Sequence, residues 1–109
     1  MEHLDYDTLN TLKEVMEDDF ALLMDTFVQD STERIRTLRE VIKSTDADPI
    51  RRAAHSFKGS CSNIGAVQLS AMCAAFEKKA LENNLHNLTS DLDAIEQEFN
   101  LVQTLLRSL

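Results

Sequence analysis

The sequence predicts an all-α protein, an antiparallel up-down four-helix bundle with an additional short helix at its N-terminus. Three observations carry this expectation. The 109 residues include one proline and two glycines, so little in the chain breaks a helix. Apolar residues recur at spacings of three and four along most of its length, the period of a helix face rather than of a strand. The breaks in that pattern are clusters of Asp, Asn, Ser and Thr, which favour helix ends, and they come too often for one long coiled-coil rod. A chain of this length fits one domain, 1–109, around one modest core.

Asp5 is placed to cap a first short helix that carries Leu9, Leu12 and Met16 and ends near Glu17. Asp18 or Asp19 then opens a long helix whose core stripe is Phe20, Leu23, Phe27, Ile35, Leu38 and Ile42, closing in the polar run Ser44 to Asp48. Asp48 followed by Pro49 reads as cap and first residue of the next helix, since Asp accepts a free backbone N–H and Pro has none to leave unsatisfied. That helix stops near Gly65, where glycine adopts a left-handed C-terminal conformation without a Cβ clash. From Ala66 another helix carries Leu69, Met72, Cys73, Phe76 and Ala80 and ends in Glu82 to Asn87. The last carries Leu88, Leu92, Ile95, Phe99, Val102 and Leu106. Amphipathic helices with short connections pack most simply as antiparallel neighbours.

Composition excludes several classes. The net charge of −8 argues against nucleic acid, whose phosphates need a basic surface. No apolar run is long enough to span a membrane, and the acidic start MEHLDYD is unlike a signal peptide, so a cytoplasmic protein is expected. Cys61 and Cys73 lack metal-ligand spacing and read as free core thiols. In an antiparallel hairpin they miss each other by about two residues of rise, which disfavours a disulfide. Glu82 and His86 have the wrong spacing for an inward metal-binding pair. His3 and His86 carry no further signal, and Asn87-Leu88-Thr89 matches a glycosylation acceptor without the secretory signal that would give it meaning.

The stretch AHSFKGSCSNIG, Ala54 to Gly65, holds both glycines. On a helical wheel Ile50, Ala53, Ala54, Phe57, Cys61 and Ile64 share the core face, and His55 lies roughly 150° away. Arg51, Lys58, Gly59 and Ser62 cluster around it, so His55 is predicted to be exposed. From Pro49 to Phe76 there is no Asp or Glu, where an even spread would put about five. Arg51, Arg52 and Lys58 therefore point to an anionic group near His55. If the hairpin turns at Gly65 and Ala66, residues whose numbers add up to about 132 share a level. His55 and Glu77 do so, and a carboxylate on Nδ1–H would fix the tautomer and leave Nε2 as nucleophile.

At these residues the sequence resembles the histidine-containing phosphotransfer (HPt) domain family. The pattern H-x-x-K-G with a second Gly six residues later is met by His55, Lys58, Gly59 and Gly65, and the next helix matches through Leu69, Cys73, Phe76 and Glu77. Phe76 departs from the family's usual Leu. The resemblance implies a four-helix bundle that relays phosphoryl groups in a multistep His-Asp phosphorelay, with His55 as phosphoacceptor and no ATP site. It implies receiver domains of a hybrid sensor histidine kinase and of a response regulator as partners, which supply the aspartate and Mg²⁺. No metal or cofactor of its own is then expected. Lys58 would stabilise phosphoryl charge, and Gly59, with no side chain, would leave room for the receiver's approach. Arg51, Arg52, Ser62, Met24 and Val28 are the candidate partner-binding residues. Pro49 and Gly65 are structural. A stand-alone monomeric carrier is expected. A kinase dimerisation hairpin is disfavoured because Ser56, not an acid, follows the His; the alternative left open is a non-catalytic helical interaction module.

Overall fold

The computed structural model describes residues 2–109. Five α-helices follow one another: α1 (Tyr6–Met16), α2 (Phe20–Val41), α3 (Ala47–Asn63), α4 (Val67–Leu81) and α5 (Leu88–Arg107), with a 3-10 turn (Glu17–Asp19) between the first two. The described residues contain no strand. α2 packs on α3 and α5, and α4 packs on α3 and α5, which closes a four-helix ring. α1 lies beside the start of α2, and the whole measures 44 × 25 × 19 Å.

The caps explain the boundaries. The Asp5 carboxylate accepts the backbone N–H groups of Asp7 and Thr8 and the Thr8 hydroxyl, which satisfies donors that α1 leaves free. Glu17, with φ +49°, ends α1 in a conformation uncommon for a side-chain-bearing residue. α2 departs from expectation here: it has no side-chain cap, because the 3-10 turn runs directly into it with Asp19 already helical.

α3 also begins earlier than predicted. Its cap is Asp46, in an extended conformation, whose side chain accepts from the Asp48 N–H. Asp48 and Pro49 are thus inside the first turn. Proline is tolerated throughout that turn, since its missing N–H has no helical acceptor there, so the dipeptide marks the start only to within a turn.

At its end, the Ala66 N–H bonds the Cys61 carbonyl at 2.9 Å and the Gly65 N–H bonds that of Ser62 at 3.1 Å. This is the Schellman arrangement, with Gly65 at φ +80°. α4 ends the same way on Asn83, at φ +56°, with Asn84 and Asn83 bonded back to Lys79 and Ala80. Lys79 then crosses to the His86 carbonyl and to Asp91, fixing the connection to α5.

The buried stripe of α2 is Phe20, Met24, Phe27, Ser31, Ile35 and Leu38. Leu23 and Ile42, expected inside, are only half-buried, and Met24 takes the inner position. The buried stripe also includes Ser31, which is fully buried with no partner for its hydroxyl. An apolar pattern skips such a position. Phe27 meets Phe99 of α5 edge to face, with ring centroids 6.4 Å apart. Cys61 and Cys73 are free and buried, as expected. The neighbouring Cys73, together with burial, pushes the Cys61 thiol far above the ordinary range.

Candidate phosphotransfer site

α3 and α4 form the hairpin that builds the site. The Gly65 turn sets their register, and His55 and Glu77 face each other across it: His55 Nδ1 lies 2.7 Å from Glu77 Oε2. Because the partner is a carboxylate, Nδ1 is the donor and carries the proton. The His55 side chain is 62% exposed and that of Glu77 only 16%, so the carboxylate holds the ring from below while the ring stands in solvent. No hydrogen bond to Nε2 occurs among the described residues.

Lys58, one turn after His55, donates to the other oxygen of the same carboxylate, Nζ to Oε1 at 2.9 Å. Glu77 therefore bridges the two. The Lys58 bond, and after it the His55 bond, hold the Glu77 carboxyl below its ordinary range against an opposing desolvation effect.

Gly59 is exposed, and a Cβ there would meet nothing within 4 Å. The fold does not require glycine at this position. Gly65 is the opposite case. A Cβ would come within 3.1 Å of the Asp5 carbonyl oxygen and 3.2 Å of Thr8 Cβ, and the Gly65 carbonyl accepts the Asp5 N–H at 2.7 Å. The turn between α3 and α4 is also the seat of α1.

The basic island is largely neutralised by the acids at its borders. Asp48 pairs with Arg51 at 3.1 Å and Arg52 at 3.0 Å, while Glu77 takes Lys58. Ser62 turns toward α4, its hydroxyl 2.7 Å from that of Ser70, which donates to the Lys58 carbonyl. Met24 is buried in the core, and half-buried Val28 lines with it a cleft between α2 and the end of α5.

Instead, α2 sends Arg34 to the edge of the site. Its guanidinium donates to Asp30 and, at 2.5 Å, to the hydroxyl of Ser56, the neighbour of His55. Sequence reading missed this residue. The signal was present: the level count that pairs His55 with Glu77 also pairs Arg34 with Ser56 when the α2–α3 connection is taken as the turn. Among the described residues, no three His, Cys, Asp or Glu side chains are grouped to hold a metal ion, and no helix is long and apolar enough to cross a membrane.

Comparison with known proteins identifies the family and the fold. The family model for the Hpt domain matches residues 22–107. The structure is similar to that of the histidine-containing phosphotransfer protein B of Pseudomonas aeruginosa PAO1, with 42% identity, a TM-score of 0.93, and coverage of 97% of this chain and 92% of that one. Histidine-containing phosphotransfer proteins of Medicago truncatula (24% identity, TM-score 0.84, covering 97% and 76%) and maize (21%, 0.85, 97% and 81%) share the fold. A search of curated proteins finds no significant match. An exposed histidine held through Nδ1, the H-x-x-K-G run around it, a family match over most of the chain and a relative 42% identical along nearly its full length lead to one assignment: the chain belongs to the Hpt domain family and has a phosphotransfer role in a phosphorelay.

Proposed function

We propose that His55 Nε2 is the phosphoacceptor, taking a phosphoryl group from the aspartyl phosphate of a hybrid sensor kinase's receiver domain and passing it to the aspartate of a response regulator's receiver. Proteins of this family interact with receiver domains in phosphorelays. The observation that carries the assignment is the 2.7 Å contact between Nδ1 and Glu77, which occupies one ring nitrogen as donor and leaves the lone pair on the other. Lys58 supplies positive charge beside it, and Gly59 leaves the approach open. The receiver brings the aspartate and Mg²⁺. Arg51, Arg52, Ser62 and Val28 contribute to docking, and the protein works as a cytoplasmic monomer.

The test is phosphoryl transfer from a radiolabelled phosphorylated receiver domain. The wild type should gain acid-labile, base-stable label, and His55→Gln should gain none while keeping the helical spectrum. Normal labelling of His55→Gln would overturn the assignment. Lys58→Ala should slow transfer on the order of tenfold, as expected when one charge that stabilises the transferring group is removed.

A further inference from the structure

We propose that Glu77 is a shared carboxylate from which Lys58 is released when His55 is phosphorylated, so that one carboxylate serves the lysine in the resting protein and the phosphoimidazolium in the loaded one. The inference rests on His55 being the phosphoacceptor. It goes beyond that reading by assigning the resting Lys58–Glu77 bond a part in the phosphorylation cycle.

In the resting protein the two oxygens of Glu77 are divided, Oε2 to His55 Nδ1 at 2.7 Å and Oε1 to Lys58 Nζ at 2.9 Å. The lysine is thus tethered to the carboxylate. Arg51 and Arg52, on the same helix, are engaged by Asp48 instead. Lys58 is the cation that touches Glu77, the carboxylate that holds His55, and its side chain, 32% exposed, carries the ammonium on a flexible four-carbon stem that can turn outward.

Phosphorylation changes the charges on both sides of that carboxylate. The Nε2 lone pair forms the P–N bond while the P–O bond to the receiver's aspartate breaks, its electron pair staying on the aspartate. Nδ1 keeps its proton, so the ring gains a positive charge and the phosphoryl group brings negative charge beside it. A multiply charged phosphoryl group attracts an ammonium more strongly than a single carboxylate already shared with an imidazole. Lys58 therefore moves from Oε1 to a phosphoryl oxygen. Glu77 then faces the imidazolium with its charge undivided and stabilises it. When an acceptor aspartate oxygen attacks phosphorus, the P–N bond breaks, the electron pair returns to Nε2, the ring is again neutral, and Lys58 returns to Glu77. No proton needs to leave Nδ1 at any stage.

The test is carbon-detected NMR of the Lys58 Cε and Nζ resonances, with ³¹P NMR, before and after labelling by the small-molecule donor phosphoramidate, which needs no receiver. In the resting protein Glu77→Gln should shift the Lys58 Nζ resonance. After labelling, the wild-type Nζ resonance should move to a new position that Glu77→Gln no longer alters, and Lys58→Met should shift the phosphohistidine ³¹P resonance. A Lys58 resonance indifferent to labelling in the wild type, or a ³¹P resonance indifferent to Lys58→Met, overturns the exchange. The wild-type comparison does not depend on either variant folding. Failure of phosphoramidate to label His55 at all is a different result, which removes the phosphoacceptor assignment and this inference with it.

Discussion

His55 and Glu77 are 22 positions apart in the chain and meet at 2.7 Å across the α3–α4 hairpin, with the exposed ring held by a largely buried carboxylate. The contact fixes ring orientation and tautomer together. Glu77→Gln can still accept a hydrogen bond from Nδ1–H, but it can also donate to a bare Nδ1 and so no longer selects the tautomer. Receiver-to-His55 transfer should fall on the order of 10-fold, the scale of imperfect alignment of reacting groups. Rapid-quench kinetics with a phosphorylated receiver will measure it, and unchanged rates would remove the positioning role.

The same carboxylate ties stability to pH. Lys58 first, and His55 second, hold the folded-state Glu77 carboxyl below its ordinary range. The unfolded chain therefore binds this proton more readily. The contribution is present above the ordinary glutamate value of about 4.3 and is lost as pH falls through the lower folded value. Denaturant unfolding of wild type and Glu77→Gln should differ most near neutrality and converge toward pH 3. A difference that stays constant would show that Glu77 titrates alike in both states.

Gly59 stands in open space inside α3, one turn before its end. Gly59→Ala should raise stability by about 0.5–1 kcal/mol through helix propensity. Gly59→Leu should leave the bundle folded yet block transfer, because the new side chain projects from the exposed face one turn from His55. Thermal melts and transfer assays separate the two effects. A bulky variant that transfers normally would remove the access role.

Gly65 behaves oppositely under the same replacement. At φ +80° and within 3.1–3.3 Å of Asp5 and Thr8, Gly65→Ala adds backbone strain and a clash with the seat of α1. A loss of about 1–3 kcal/mol is expected from strain of this kind. Chemical denaturation measures it, and hydrogen exchange should show α1 loosening first.

The two thiols should be silent in the native protein. Cys61 and Cys73 are buried, and Cys61 is held protonated by its neighbour and by burial. A thiol reagent at neutral pH should find neither within minutes, and both after denaturation. Rapid native labelling would mean that the α3–α4 core opens readily.

Local patterns made much of the fold legible in advance. The spacing of apolar residues gave the helices, Asp5 opened one and Gly65 closed another where expected, and the wheel placed His55 outside and Phe57 inside, because periodicity and capping depend only on residues within a turn or two. Even the His55–Glu77 pairing could be read, since a short hairpin makes residue number a measure of height. What the sequence could not decide depended on rotation and reach. Met24 rather than Leu23 faces inward, and the same buried stripe includes a serine, Ser31, that no hydrophobic pattern marks. The sharing of Glu77 between two partners and Arg34 reaching Ser56 were set by side-chain length and direction across helix interfaces. The chain's own spacing determined where His55 stands; tertiary packing decided which charges touch it, because those distances belong to pairs of helices and are written in neither one alone.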